Sequence, residues 1–332
     1  MAKIVLGLGA SHTPLLTLSS EQWAHRAEAD YANPKLNLSD GRWLSYPELL
    51  AEVGPRYAEE IGAEILKTKA SICESALERL ADSLEASRPD LVVIVGDDQA
   101  ELFSPANQPA LAVFHGEALT MLDKFSAPDN PAWMQQMGRA YLMDQKHTVR
   151  GAAPLAHELI EGLVDLDIDV ASVASIQNPE KTGFGHAFGF IVKRLFRGRE
   201  IPVLPVLLNT YYPPNVPTAK RCYDIGLAVA RVLQQSSTSL RVAIVASGGL
   251  SHFVVDESLD RKILKALVER DAQTLRSIPR PALHSGSSEI LNWVLAAGAL
   301  SSLPVSWHEY QALYRTPAGT GVGAAFCIWG RA

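Results

Sequence analysis

LVVIVGDDQ, residues 91–99, is a continuous apolar run that ends in two acidic residues and a glutamine. A run with no polar alternation is typical of a strand that helices cover on both faces. Residues 3–9 (KIVLGLG) and 240–247 (LRVAIVAS) have the same character. These three segments predict the centre of a sheet that is buried on both sides.

Strand-like and helix-like segments alternate along the rest of the chain. Further strands are predicted at 109–114, 170–176, 201–209, 307–314 and 322–330, and helices at 57–86, 130–145, 153–164, 184–197, 215–236, 256–275 and 286–298. This alternation predicts an α/β fold with a mostly parallel or mixed central sheet and helices on both faces. No repeat or linker divides the sequence, so we predict one domain over residues 1–332.

Composition and charge exclude several classes of protein. The formal net charge of −6 and the scattered basic residues do not indicate nucleic-acid binding. The three cysteines, Cys73, Cys222 and Cys327, are far apart and predict neither a disulfide framework nor a thiolate metal site. No stretch approaches the roughly 20 apolar residues of a membrane span, and no signal peptide is evident, so we expect a cytoplasmic protein with no membrane partner.

Polar motifs follow the predicted strands. In an open α/β sheet, ligands bind outside the carboxyl ends of the strands. The motifs at those positions are ASHTP (10–14), GDDQ (96–99), NTYYPP (209–214) and SGGLSH (247–252). We therefore expect the functional site at this edge of the sheet.

Three histidines and one glutamate are the candidates for chemistry. A non-haem iron site uses two neutral imidazoles and one carboxylate on one face of the metal. His12 directly follows a strand, His252 follows a glycine pair, His186 lies in GFGHAFG, and Glu289 begins a helix after SGSS. Each also has an ordinary interpretation, such as a capping residue or an acidic residue that complements a helix dipole. From the residues alone both interpretations stay open.

Taken together, the motifs resemble those of the LigB-type class III extradiol dioxygenases, which include the protocatechuate 4,5-dioxygenase β subunit and the gallate and 3-O-methylgallate enzymes. The resembling segments are 11–14, 92–99, 183–196, 209–222, 247–252, 285–293 and 316–326. The resemblance implies a LigB-like fold, Fe(II) or alternatively Mn(II) as cofactor, and an aromatic substrate that is cleaved with O₂.

The resemblance also implies a role for each candidate. His12 matches the first iron-ligating histidine and Glu289 the carboxylate ligand of the family. His252 matches the base that deprotonates the catechol, and His186 matches a second histidine that lines the substrate pocket. A histidine that titrates near neutrality suits the removal of a catechol proton.

One motif departs from the family pattern. The second iron-ligating histidine of the family closes an Asn-Asp-His motif, and the matching residues here are Asp97-Asp98-Gln99. Gln99 is therefore a candidate ligand, through a neutral amide oxygen. Alternatively, His115 fills the position, or Asp97 or Asp98 supplies a second carboxylate that suits Mn²⁺ or Mg²⁺. A further alternative is that the site holds no metal at all.

Two further departures concern the substrate and the partners. A mainly helical insertion at about 15–88 is expected to border the mouth of the active site. Gly319-Thr320 replaces the Ser-Asn of the protocatechuate enzyme, so the substrate's side group is expected to be held differently, with Arg315 or Tyr212. Tyr212, Thr320 and Gly249 are thus the predicted substrate contacts. We expect a homodimer, and a separate small α subunit remains compatible with the sequence.

The leading functional hypothesis is an extradiol dioxygenase that opens a catechol-like or hydroxylated heteroaromatic ring. Because Gln99 replaces a histidine, two alternatives stay open. One is a non-redox, metal-assisted hydrolase or lyase that uses Asp97, Asp98 and Glu289. The other is a catalytically inactive binding protein on the same scaffold.

Overall fold

The computed structural model describes residues 1–330, which contain thirteen strands and ten α-helices. The strands are β1 Lys3–Ala10, β2 Leu36–Asn37, β3 Trp43–Leu44, β4 Leu91–Asp97, β5 Leu111–Phe114, β6 Ala118–Met121, β7 His147–Arg150, β8 Ala171–Val173, β9 Val203–Leu208, β10 Arg241–Ser247, β11 His252–Val254, β12 Val305–Tyr314 and β13 Thr320–Trp329. The helices are α1 Ala24–Tyr31, α2 Tyr46–Val53, α3 Ala63–Ser87, α4 Ala132–Ala140, α5 Ala153–Val164, α6 His186–Leu195, α7 Ala219–Gln235, α8 Glu257–Glu269, α9 Ala272–Arg276 and α10 Ile290–Ala299. Short 3₁₀ turns join several of them, including one at Ser285–Glu289.

Nine strands form one mixed sheet in the order β11-β13-β1-β10-β4-β9-β5-β8, with β12 paired to β13. The central strands β1, β10, β4 and β9 are parallel, whereas β13 runs antiparallel to β1, β11 and β12. The predicted α/β fold with a mostly parallel or mixed sheet is therefore confirmed. Because β1, β4 and β10 are parallel neighbours, the residues that follow them meet at one edge.

The sheet has a hydrophobic core on each face. Alternate residues of β4 point to opposite sides, with Val93 and Val95 in one core and Val92 and Ile94 in the other. Helices α5, α7, α8 and α10 cover the first core, and α3, α4 and α6 cover the second. This double coverage explains why the run at 91–96 shows no polar alternation.

Residues 15–88, predicted as a mainly helical insertion, contain α1, α2, α3, the β2–β3 hairpin and short 3₁₀ turns. A buried ion pair fixes α1, because the Asp30 carboxylate accepts hydrogen bonds from Arg315 Nε at 2.7 Å and Nη2 at 3.0 Å. The Thr320 hydroxyl also donates to Asp30, at 2.7 Å. The α1 helix is thereby attached to the β12–β13 turn. That the segment is an insertion stays a prediction.

Two predicted helices differ from the structure. The helix predicted over 256–275 is two helices, because Arg270 adopts a left-handed conformation (φ 55°) and Asp271 caps α9 by accepting from the Thr274 amide. The helix predicted from residue 57 begins only at Ala63, after Gly62 in an extended conformation. The two-stranded antiparallel sheet of β6 and β7 was not predicted from the sequence. None of the helices within residues 1–330 is long and apolar enough to cross a membrane.

Helices α7 and α10 approach each other most closely at a pair of glycines. A Cβ atom on Gly298 would lie 2.2 Å from the Tyr223 carbonyl oxygen and 3.1 Å from Gly226 Cα. Contacts this short require that both residues have no side chain.

We predict that Gly298→Ala forces α7 and α10 apart and lowers the free energy of unfolding by about 1–3 kcal/mol. Urea denaturation of the wild type and the variant measures the change. Gly62→Ala is the matched control, because Gly62 is exposed, has an ordinary φ of −64° and has its nearest contact at 3.3 Å. Equal losses in both variants would contradict this account of the helix contact.

Candidate active site

A cavity of about 260 Å³ lies at the carboxyl ends of β1 and β4 and includes the residues after β10. Besides Arg315, which was expected to hold the substrate's side group, five residues predicted for the site line it: His12, Gln99, His186, His252 and Glu289. They come from positions up to 277 residues apart in the 332-residue sequence (289 − 12). The fold thus brings these five residues together.

His12 directly follows β1 and is 2% exposed. Its Nδ1 lies 2.9 Å from Ser247 Oγ, and the Ser247 hydroxyl donates to the Ala187 carbonyl at 2.6 Å. Ser247 therefore accepts a hydrogen bond from His12, which assigns the proton to Nδ1 and leaves a lone pair on Nε2. This Nε2 is buried without a hydrogen-bond partner, 3.4 Å from Glu289 Oε2. A ligating histidine whose other nitrogen is held by a hydrogen bond is the arrangement typical of metal sites.

Glu289 ends the 3₁₀ turn Ser285–Glu289, immediately before α10, and is buried. Its Oε2 accepts a hydrogen bond of 2.6 Å from the Gly249 amide. Burial raises the pKa of Glu289, but the His252 and His12 imidazoles and the Gly249 amide outweigh it and lower the pKa to about 2. The carboxylate is therefore ionised at neutral pH. Gly249, a predicted substrate contact, is placed here as a donor to Glu289.

Asp97 is the last residue of β4 and is buried. Its carboxylate accepts from Gln99 Nε2 at 3.0 Å and from Asn292 Nδ2 at 3.2 Å. One potential ligand atom from each of His12, Asp97 and Glu289 lies within 4.8 Å of the others. A buried imidazole nitrogen beside two buried carboxylates fits a divalent cation in its donor types.

The structure does not bring two other candidate ligands to this group. Asp98 accepts from the backbone amides of Leu102 and Phe103 at 2.8 and 3.1 Å and so caps the following turn. His115 contacts His157 at 3.1 Å and Ser172 at 2.9 Å, and it does not line the cavity.

His252 lies on the short strand β11, which pairs with β13. Its Nδ1 is 2.9 Å from the Leu250 carbonyl, so Nδ1 carries the proton and Nε2 is left as an acceptor, 3.8 Å from Glu289 Oε2. Burial lowers the pKa of His252 and outweighs the opposing effect of Glu289. A neutral imidazole with one free, fixed nitrogen is suited to accept a proton.

His186 begins α6 and forms a partly buried ion pair. Its Nδ1 lies 2.9 Å from Glu101 Oε1. Burial alone lowers the pKa of His186, but the Glu101 carboxylate raises it to about 9, so the imidazole is charged at neutral pH. Glu101 was not predicted from the sequence, although it follows Gln99 by two residues in the same loop. Gly185 is required here, because a Cβ atom at that position would lie 2.1 Å from the Glu101 carboxyl carbon.

Basic side chains form another part of the cavity wall. They are Arg26 of α1, Lys124 and Arg315. The guanidinium of Arg315 is bound by Asp30, whereas Arg26 Nε is buried without a hydrogen-bond partner. Tyr211 lines the cavity, whereas Tyr212 and Thr320, two predicted substrate contacts, do not. Arg26 and Tyr211 were not predicted as site residues.

The comparison with known families agrees with this fold and site. A family model described as the catalytic LigB subunit of aromatic ring-opening dioxygenase matches residues 47–326. Because the match covers most of the sequence, the chain belongs to the LigB family.

Two curated relatives match shorter regions. A gallate dioxygenase from Pseudomonas putida is 32% identical over 133 residues, which is 37% of this chain and 38% of that protein. A 2,3-dihydroxyphenylpropionate/2,3-dihydroxicinnamic acid 1,2-dioxygenase from Mycobacterium ulcerans is 34% identical over 100 residues, which is 30% of this chain and 29% of that protein. Each match thus spans less than two fifths of the relative.

A buried aspartate supports the loop that carries Gly249 and His252. Asp260 accepts from the Ser251 amide at 2.8 Å, the Ser251 hydroxyl at 2.7 Å and the Tyr310 hydroxyl at 2.7 Å. Burial raises the pKa of Asp260 to about 7, although these hydrogen bonds oppose the rise.

We predict that Asp260 makes the protein less stable as the pH rises towards 7. The group ionises near pH 4 when unfolded, so between pH 4 and 7 only the folded chain retains its proton, and stability falls with pH. Asp260→Asn should therefore lose less unfolding free energy than the wild type between pH 5 and pH 8, as measured by urea denaturation. Asp129→Asn, at an exposed loop position, controls for the loss of a negative charge. The same pH dependence in wild type and Asp260→Asn would refute the prediction.

Proposed function

We propose that this protein is a metal-dependent extradiol dioxygenase that opens an aromatic ring with adjacent hydroxyl groups, using O₂. Fe(II) is the proposed metal and Mn(II) the alternative. The observation that carries the proposal is the unpaired, buried Nε2 of His12 beside the Glu289 carboxylate, in the same cavity as the neutral His252.

His12 and Glu289 would hold the metal. A bound Fe(II) ion supplies the Lewis acidity that favours loss of the substrate's hydroxyl protons and the redox chemistry that O₂ requires. The residues themselves supply positioning. Ser247 orients the ring of His12, and the Gly249 amide orients the carboxylate of Glu289.

Two histidines would manage the protons. His252 accepts a proton from a substrate hydroxyl at Nε2, because Leu250 holds its Nδ1–H. His186 acts as a cationic hydrogen-bond donor, because Glu101 occupies its Nδ1 and keeps the ring protonated. Its Nε2–H is then available to an anionic oxygen of the substrate or product.

The cavity also supports a class of substrate. Its volume of about 260 Å³ is below the roughly 300–1,000 Å³ of pockets for drug-sized ligands, which suits a single substituted ring. Arg26, Lys124 and Arg315 favour an anionic substituent on that ring. Gallate, named in the Pseudomonas putida relative, is a hydroxylated benzoate of this kind. We therefore propose a carboxylated catechol as substrate.

The two alternative functions have less support. A non-redox hydrolase or lyase was expected to use Asp98, but its carboxylate caps the backbone at Leu102 and Phe103. An inactive binding protein has no need of one protonated histidine, His186, and one neutral histidine, His252, in the same cavity. Consumption of O₂ with a catechol substrate separates the proposed function from both. The homodimer and the separate small subunit stay predictions.

We predict that His252→Phe lowers kcat/KM for ring cleavage by about 10²- to 10⁴-fold, because the proton acceptor is lost while His12 and Glu289 are intact. Oxygen uptake measures the turnover, and elemental analysis measures the retained metal. The matched control is His115→Phe, outside the cavity, which should behave like the wild type. Unchanged turnover in His252→Phe would refute its role as the base.

We predict that Arg26→Gln raises KM for a carboxylated catechol about 10- to 100-fold, the effect of one lost hydrogen bond to a charged group. Unsubstituted catechol, which lacks the anionic group, should show an unchanged KM. Steady-state kinetics with both substrates test the prediction. A similar rise for both would show that Arg26 supports the cavity in general and does not recognise the carboxylate.

A further inference from the structure

We infer that Asp97 is the third metal ligand of this site, so that His12, Asp97 and Glu289 form a ligand set of one histidine and two carboxylates. Gln99 then acts as a hydrogen-bond donor to both carboxylates and does not ligate the metal. The inference rests on the part of the proposed function that places a metal in this cavity.

The three ligand atoms converge and are all acceptors. The atoms lie within 4.8 Å of one another, and the three residues are buried. His12 Nε2 has no proton to donate, because its Nδ1–H is directed to Ser247. A lone pair and two carboxylates at these distances repel one another unless a proton or a cation lies between them, and three convergent acceptors suit a cation.

The charge near the group also calls for a cation. The donors to the two carboxylates are the neutral groups of Gln99, Asn292 and Gly249. No lysine or arginine within residues 1–330 forms an ion pair with Asp97 or Glu289. The nearby His186 cation is already paired with Glu101. A divalent cation would balance the two carboxylates, and buried charges in proteins are paired or coordinate metals.

The orientation of Gln99 argues against ligation by its oxygen. Its Nε2 lies 3.0 Å from Asp97 Oδ2 and 3.4 Å from Glu289 Oε1. Both neighbours are carboxylate oxygens that accept hydrogen bonds, so the amide nitrogen is the end that faces them. An amide N–H cannot ligate a cation. It can orient two ligating carboxylates, as the outer partners of metal ligands do.

The sequence motif agrees with an exchange of ligand position. The resembling family has Asn-Asp-His where this chain has Asp97-Asp98-Gln99. The imidazole is lost at the third position, and a carboxylate is present at the first. A set of one imidazole and two carboxylates is harder than two imidazoles and one carboxylate, which favours Mn(II) relative to softer cations.

The test is the binding of Mn(II) to the full chain, followed by electron paramagnetic resonance, with Fe(II) binding measured anaerobically. The wild type should bind one Mn(II), and its electron spin-echo spectrum should show nitrogen coupling from one imidazole. Gln99→Ala should weaken binding about 10- to 100-fold, the usual cost of removing an outer partner. Asp97→Asn should weaken it more than Gln99→Ala. The double variant Asp97→Asn/Gln99→His, which recreates the family motif, should restore binding with coupling from two imidazoles.

Several results would overturn the inference. One is that Asp97→Asn binds the metal as tightly as the wild type does. Another is that Gln99→Ala loses metal binding altogether, and the third is that the wild type binds neither Mn(II) nor Fe(II). Circular dichroism checks that each variant folds. If Asp97→Asn does not fold, the metal binding of Gln99→Ala and of the wild type still tests the inference. Metal binding that depends on Asp97 in a protein that does not cleave catechols would support the inference and refute only the proposed reaction.

Discussion

The hydrogen bond between His12 and Ser247 is the interaction on which the site depends. It joins the ends of two parallel neighbours, β1 and β10, whose register pairs Ala10 with Ser247. Ser247 in turn donates to Ala187 of α6. One chain of hydrogen bonds thus joins two strands and a helix, orients His12 and leaves its Nε2 free. The proposed dioxygenase function depends on that free nitrogen.

Two other histidines in the cavity have opposite charge states because their surroundings differ. His252 faces a backbone carbonyl through Nδ1, and burial keeps it neutral. His186 is also buried, but a direct bond to Glu101 keeps it protonated. Groups whose pKa values are moved apart in one cavity are typical of acid–base catalysis. Glu101, which keeps His186 protonated, and the Leu250 carbonyl, which fixes the tautomer of His252, are therefore as important to the chemistry as the histidines.

The N-terminal helix α1 links the stability of the fold to the wall of the cavity. Asp30 binds Arg315 and Thr320, and this buried ion pair attaches α1 to the β12–β13 turn. Loss of one partner of such a pair typically costs about 3–5 kcal/mol. The same attachment holds Arg26 in the cavity wall. Arg26 therefore stays in the cavity wall only while α1 is in place.

The sequence by itself determined the sheet and indicated four candidate site residues. Continuous apolar runs identify doubly covered strands, and residues that follow parallel strands meet at one edge, which points to His12 and to the loop before His252. His186 and Glu289 were selected because their motifs resemble those of the LigB family. Only the tertiary structure showed the place of Asp97 beside His12 and Glu289, the pairing of Glu101 with His186 and the place of Arg26 in the cavity. These depend on the directions of side chains far apart in the sequence, such as Asp97 and Glu289. Local pattern carries no information about such directions, because packing of the whole domain sets them.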